Sequence, residues 1–406
     1  MPGRLHDIRT IPVSTSFLTF TTLYPNAAQP ALGTFVETRL QALLKQHAYH
    51  SHVLAPVPWF PLKSRRFGAY ATRARVPAHE SRQGVDVWHP RYLVIPKVGM
   101  NLTPGFLYRS AGSSMTQLLR NGFRPALIDA HYFYPDGVAA ARLAQKFDLP
   151  LMITARGSDI NLISQYQGPL RMMREAAARC QAIVAVSAAL AAKMAELGFD
   201  ETKITVLRNG VDLQEFRPGD RTVLRQRMGF DEQGGNQQVL LSAGNLVELK
   251  GHDLVIDALP RIPDAVLLIA GDGPQRASLE SQAQRLGVAP RVRFLGRVGR
   301  RRMVELYTAA DALVLASSRE GMANVLLESI ACGNPVIATA VGGNPEVVSD
   351  PRAGVLMRER SSTAIVEALE RLEKDRPTRQ DTRDFATTFS WHDTCHKLDQ
   401  LIQRII

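Results

Sequence analysis

Apolar runs of three to five residues alternate along most of the chain with longer segments whose apolar positions recur every three or four residues. Short continuous runs have the form of strands buried on both faces of a parallel sheet, and the longer ones carry the stripe of an amphipathic helix. In the first half, 16–20, 52–55, 127–130, 151–154 and 182–186 read as strands, with helices over 35–44, 137–147 and 168–179. In the second half the strands are 239–242, 266–270, 292–295, 312–316 and 336–338. Helices fall at 253–259, 275–286, 301–309 and 324–331, and a mainly helical tail starts at Ser361. Residues 56–125, rich in Pro, Arg and aromatics, have weak periodicity and give no assignment. Alternation of this kind predicts an α/β protein built on parallel sheets.

The polar, turn-rich stretch 208–237, with RNGVDLQEFRPGD and DEQGGNQQ, reads as a linker between two α/β halves. A chain of 406 residues with 45% hydrophobic content is long enough for two cores. No run of 18 apolar residues occurs, so no membrane-spanning helix is expected. The first 20 residues lack an apolar leader core and a small-residue cleavage site, so no secretory signal is expected. Cys180, Cys332 and Cys395 lie far apart without metal-ligand spacing and read as buried thiols in a reducing compartment, with the cytoplasm as the default.

Charge changes this picture. Residues 1–200 hold 22 Lys and Arg against 11 Asp and Glu, whereas 201–406 hold 27 against 27, so the net charge of +11 belongs to the first half. A solubilising face, an anionic membrane surface and an anionic acceptor would each explain it. Nucleic acid is not expected as a partner: no zinc knuckle, RNP-like strand or helix-turn-helix signature appears.

The densest candidate chemistry is EGMANVLLESIACGNPVIATAVGGNPE at 320–346. Glu320 lies on the turn after the strand 312–316, where open α/β sheets bind ligands, and Glu328 lies in the helix that follows. The amides of Met322, Ala323 and Asn324 stand at that helix's start, suited to oxygens of a phosphate or sugar. Read alone, the pair is an N-terminal helix charge and a solvated helical Glu, Lys250 is a turn lysine before Gly251, and His131 is a structural histidine after a strand. No His, Asp and Glu cluster has metal-ligand spacing, so no metal or other cofactor is expected.

Further segments accompany this one in order: GTFVETRLQAL from Gly33, DAHYFYPDGVAA from Asp129, RNGVDLQEFRP at 208–218, GNLVELKGHD at 244–253 and GDGPQRASLE at 271–280. Together they resemble the family 4 retaining glycosyltransferases of the GT-B fold, of the kind found in bacterial polysaccharide biosynthesis. The resemblance covers nearly the whole length and is weakest at 56–125. It implies two Rossmann-like domains facing across a cleft: an acceptor domain over 1–207, joined by a C-terminal helix at 390–406, and a nucleotide-sugar domain over 208–389. It also implies a retaining transfer of a hexose-type sugar to a saccharide or lipid-linked saccharide.

Residue by residue, the resemblance gives Glu328 the ribose diol of the donor, through paired charge-assisted hydrogen bonds. It gives Glu320 and His131 the transferred sugar, and Lys250 the diphosphate. Gly33 would let the diphosphate approach a helix N-terminus, Gly273 and Val298 would touch the base, and Asp159 would lie on an acceptor-facing loop. Asn245 stands where the family often has arginine, which removes a cation from the diphosphate; Arg156 and Arg208 are the candidate substitutes. A GT-B nucleotide-sugar epimerase needs no acceptor, and a non-catalytic sensor would bind donor without turnover. A Rossmann dehydrogenase would need a G-x-G-x-x-G turn that GTFVET does not supply. Finally, Arg65, Arg66, Arg73, Arg75, Arg82 and Arg91, interleaved with Trp59, Phe60, Phe67, Tyr70 and Trp88, suggest a peripheral seat on the inner face of the cell membrane.

Overall fold

The first sheet and its helices are built from β1 (Thr15–Phe20), α1 (Thr34–Gln46), β2 (Tyr49–Leu54), β3 (Val57–Pro58), α2 (Gly68–Ala74), β4 (His79–Arg82), β5 (Val85–Trp88), β6 (Arg91–Tyr92), α3 (Thr103–Arg120), β7 (Ile128–His131), α4 (Val138–Phe147), β8 (Leu151–Ala155), α5 (Ser158–Asn161), α6 (Gln167–Arg179), β9 (Ala182–Ala185), α7 (Ala188–Glu196) and β10 (Ile204–Val206). The structure, a computed structural model, describes residues 15–62, 64, 66, 68–95, 99–230 and 237–406. The leader reading at the N-terminus falls largely outside the described residues, as do Arg65, Phe67, most of DEQGGNQQ and the Tyr70 side chain.

Eight strands lie in the order β10-β9-β8-β7-β1-β2-β5-β4, and β3 and β6 pair separately. β7 and β8, IDAH and LMITA, are buried at every position, the pattern a central parallel strand requires. β4 runs antiparallel at the edge, with His79, Glu80, Ser81 and Arg82 alternating between exposed and half-buried. A short, charged strand at that position discourages pairing with another chain.

The second sheet and its helices follow as α8 (Arg221–Arg227), β11 (Gln238–Ala243), α9 (His252–Ala258), β12 (Ala265–Ala270), α10 (Arg276–Arg285), β13 (Val292–Gly296), α11 (Arg300–Ala309), β14 (Ala312–Leu315), α12 (Asn324–Ala331), β15 (Val336–Thr339), α13 (Asn344–Val347) and β16 (Gly354–Met357). Three more helices close the chain: α14 (Ser362–Lys374), α15 (Arg379–Ala386) and α16 (Trp391–Ile405). The six strands lie in the order β13-β12-β11-β14-β15-β16, which is the 3-2-1-4-5-6 order of a Rossmann sheet. Leu240, Leu267, Ile269, Val314 and Ile337 from these strands meet Val255, Ile256, Ile365 and Leu369 from α9 and α14 in one buried cluster. Each such side chain contributes roughly 1.5–3 kcal/mol when taken fully from water.

The chain divides into two compact units, Met1–Thr154 with Gln167–Ile183 and Asp399–Ile406, and Ala155–Tyr166 with Val184–Leu398. Within the first, Tyr49 Oη donates to Asp399 Oδ1 at 2.5 Å, anchoring the end of α16 beside β2.

Two stretches differ from the sequence reading. The unassigned 56–125 contains the 18-residue helix α3. Its buried Leu107, Ala111, Met115 and Leu118 do follow helical spacing, but the surrounding Pro, Arg and aromatic residues obscured it. The predicted linker contains α8, whose start is capped by Asp220 accepting from Val223 N.

Candidate active site

In an open α/β sheet the strand order reverses at one point, and the loops leaving the strands there diverge to form a crevice. In the first sheet that point lies between β1 and β7, which pair in parallel. The loop after β1 ends at Gly33, and β7 ends at His131. Gly33 has φ 62°, and a Cβ there would lie 2.1 Å from Leu23 O, so only glycine lets α1 begin this close to the strand's exit. Asp136 ties the two exits together: its carboxylate accepts from Thr22 N at 2.7 Å and from the hydroxyls of Thr21 and Thr22. His131 is 2% exposed, with Nε2 3.2 Å from Asp129 Oδ2, and Arg39 Nη2 lies 3.8 Å from the same oxygen.

In the second sheet the reversal lies between β11 and β14. The loop after β11 carries Asn245, which is exposed, and Lys250. The loop after β14 carries Glu320 and leads into α12. Lys250 Nζ donates to Glu320 Oε1 at 2.6 Å, with the two side chains 21% and 12% exposed. Residues far apart in sequence therefore meet because their strands are neighbours. Gly342 fits directly against the Glu320 carbonyl, where a Cβ would come within 2.0 Å, and Gly343 N donates to Gly321 O at 2.9 Å. The glycine pair of GGNPE thus holds the backbone turn that presents Glu320.

α12 starts at Asn324 with Ala323 as its cap residue, and neither Ala323 nor Met322 supplies a side-chain cap. Its first amides are therefore left for a ligand or water. Glu328, on the same helix, receives a hydrogen bond from Tyr307 Oη at 2.9 Å. Burial pushes its carboxyl up to about 7, against the opposing pull of the Tyr307 hydroxyl and the Arg300 charge. Sequence reading did not find Tyr307. It is a core residue of α11 by periodicity, and only its neighbour across the packing gives it a polar task.

The other expected residues are placed as follows. Asp159 is fully buried and accepts from Arg156 N at 3.1 Å and Gly157 N at 2.8 Å, so it shapes the turn that presents Arg156. Arg156 Nη1 donates to Asn209 Oδ1 at 3.1 Å, and Asn209 Nδ2 donates to Asn324 Oδ1 at 2.8 Å. Arg156 is thereby linked to the start of α12. Arg208 Nε donates to Glu346 Oε2 at 2.7 Å, which offsets its charge locally. Gly273 packs on Leu246, where a Cβ would meet the carbonyl oxygen at 2.5 Å, and Val298 follows β13 half-buried. Among the described residues no three His, Cys, Asp or Glu side chains are grouped as a metal site would need. No described helix is long and apolar enough to cross a membrane.

Asn209 was not singled out from sequence, yet it joins two of the candidate residues and is 7% exposed. Asn209→Ala is expected to destabilise the protein by about 1–3 kcal/mol, since it leaves buried partners unsatisfied. The denaturant midpoint should fall at unchanged slope.

The family described as Glycosyl transferases group 1 matches residues 226–389, and the one described as Glycosyltransferase Family 4 matches 71–215. The chain belongs to the family 4 glycosyltransferases. A Bacillus subtilis strain 168 protein named for a glycosyltransferase role in teichuronic acid biosynthesis, TuaC, is 28% identical over 90% of this glycosyltransferase and 91% of its own length. Among solved structures, sucrose-phosphate synthase from Thermosynechococcus elongatus superposes with a TM-score of 0.77 at 18% identity, over 96% of this chain and 98% of that one. Anabaena HepE, solved in complex with UDP and glucose, gives 0.72 at 19%, over 96% and 99%. At these identities the structures establish the fold, which is that of the GT-B glycosyltransferases.

Proposed function

We propose that this glycosyltransferase moves a hexose-type sugar, with retention of anomeric configuration, from a nucleotide-sugar to a saccharide or lipid-linked saccharide of a cell-surface polysaccharide. The observation that carries the reading is the Lys250–Glu320 pair at the reversal of the second sheet, on the loop that leads into the open amides of α12 and the half-buried Glu328 of the same helix. A nucleoside diphosphate sugar presents a diol, two phosphates and a sugar, and these groups offer each of them a partner. The Glu328 carboxylate accepts from the ribose diol. Lys250 and the α12 amides meet the diphosphate, and Glu320 meets the transferred sugar.

Cleavage of the anomeric C–O bond sends an electron pair to the β-phosphate oxygen. Lys250 and the helix dipole stabilise that charge as it develops, and they are fixed before reaction. Arg156, linked through Asn209 to the start of α12, and Arg208, paired with Glu346, are the candidate substitutes for a cation at Asn245. The resemblance gives His131 the transferred sugar, and Asp129 orients its ring for that role, Oδ2 lying 3.2 Å from Nε2. HepE and TuaC support the reading through a bound UDP in one and the name of the other.

Nucleotide release from UDP-, GDP- and ADP-sugars tests donor use, and the anomeric coupling of the product tests retention. Release from none of them would overturn the proposal. With Lys250 and the amides carrying the leaving charge, transfer is expected to persist in excess EDTA. A complete loss that Mg²⁺ restores would contradict this.

A further inference from the structure

Outside these loops, a groove between α3 and α4 in the first unit encloses about 660 Å³ and is lined by Arg109, Arg142 and Lys146 with Phe106, Tyr108 and Leu102. No carboxylate lines it, and among the described residues none of the three cations is paired with one. Arg142 and Lys146 stand one turn apart on α4, a like-charge spacing that disfavours the helix. Gly105 and Gly112 of α3 face them: a Cβ on Gly105 would stand in ordinary contact with Arg142 Nη1 at 3.5 Å, and one on Gly112 with Lys146 Nζ at 3.7 Å. Lys146 Nζ also sits over the Tyr108 ring at 5.9 Å and the Phe147 ring at 5.1 Å. Arg179 of α6 donates to Gln145 on the groove's wall, adding a fourth cation nearby.

Next to this basic groove the chain exposes apolar side chains. Leu102, which lines it, is 52% exposed, and Leu93, Val94, Ile95 and Met100 are also exposed. Gly99 N donates to Ile95 O at 3.0 Å and Leu102 N to Gly99 O at 3.0 Å, which holds the described residues 93–95 and 99–102 together as a ridge at the start of α3. A soluble polyanion would gain nothing from that ridge. A molecule with a phosphate joined to acyl chains would use both features.

We propose that the α3–α4 groove seats the phosphate of an anionic phospholipid, with the exposed side chains of Leu93, Val94, Ile95, Met100 and Leu102 entering the boundary of the acyl layer. The proposal rests on the reading of the acceptor as presented at a membrane, and it locates the contact. That place differs from the basic–aromatic stretch 59–91 to which the sequence points.

Co-sedimentation with vesicles tests it. The wild type is expected to pellet with phosphatidylglycerol-containing phosphatidylcholine vesicles at low salt, to stay in solution with phosphatidylcholine alone, and to be released by high salt. Each cation near an anionic surface multiplies partitioning about fivefold, so Arg142→Glu with Lys146→Glu should reduce it by at least about 25-fold. Arg285→Glu with Lys374→Glu makes the same charge change in the second unit and should reduce it by less than about threefold. Equal losses in both double variants would show a net-charge effect and overturn the seat, as would a wild type that never pellets. Nucleotide release from UDP-glucose without vesicles is expected to be the same in the wild type and both variants. A wild type that pellets yet releases nucleotide from no sugar donor would refute the transferase reading and leave the lipid seat standing.

Discussion

Lys250→Ala is expected to lower kcat for sugar transfer by about two to three orders of magnitude, the effect of removing one preorganised charge from a developing oxyanion. The side chain leaves the loop after β11 and reaches Glu320 Oε1 at 2.6 Å. Removing it also strips Glu320 of its cation, so kcat alone does not separate two roles. Affinity for the free nucleoside diphosphate, which carries no sugar for Glu320 to meet, does. If Lys250 serves only to hold Glu320, Lys250→Ala should bind the free diphosphate as the wild type does. If it meets the diphosphate, the loss of a charge-assisted contact should weaken that binding by about 1.5–3 kcal/mol. An unchanged kcat in Lys250→Ala, with single-turnover release of nucleotide as the readout, would remove Lys250 from the chemistry.

Glu328→Gln is expected to weaken binding of the free nucleoside diphosphate by about 1.5–3 kcal/mol, roughly 10- to 150-fold, by replacing a charged acceptor with a neutral amide. Glu320→Ala, by contrast, should act mainly on turnover, and equal affinity losses in both would refute that division. The pH dependence follows from burial, which raises the Glu328 carboxyl to about 7. Below that value the carboxyl is protonated and is a poorer acceptor for a diol, so wild-type affinity should rise as pH passes upward through 7. The affinity of Glu328→Gln should stay flat over the same range.

The same shift bears on stability with the opposite benefit. The folded state holds a proton that the unfolded chain, near the ordinary Glu value, gives up, so stability falls as pH rises from the unfolded to the folded value. Glu328→Gln removes that penalty and should raise Tm at pH 8 while leaving it nearly unchanged at pH 4. A carboxylate kept at a cost to the fold is expected where a ligand uses it. Calorimetry of UDP binding and thermal unfolding at those two pH values measure both effects.

The alternation of apolar runs and amphipathic segments was enough to predict parallel sheets, because strands such as AVLLIA and LMITA can be satisfied only by burial on both faces. The motif residues 320–346 were legible for a related reason. A glycine pair, a helix start and two carboxylates constrain one another within a short stretch of chain. Helix α3 was legible in principle from Leu107, Ala111, Met115 and Leu118, but Pro, Arg and aromatic neighbours diluted its stripe. The residues that could not be read were those whose meaning lies in a partner. Tyr307 looks like core until Glu328 packs on it, and Asn209 looks like a turn residue until Arg156 and Asn324 flank it. That Asp159 folds into its own turn and that Arg208 meets Glu346 were likewise beyond the reach of the sequence. Sequence by itself determined the elements and the types of group available, since periodicity and local turn chemistry act within a few residues. Which groups face each other was decided by strand order, because the reversal between β11 and β14 brings Lys250 and Glu320, 70 positions apart, to 2.6 Å.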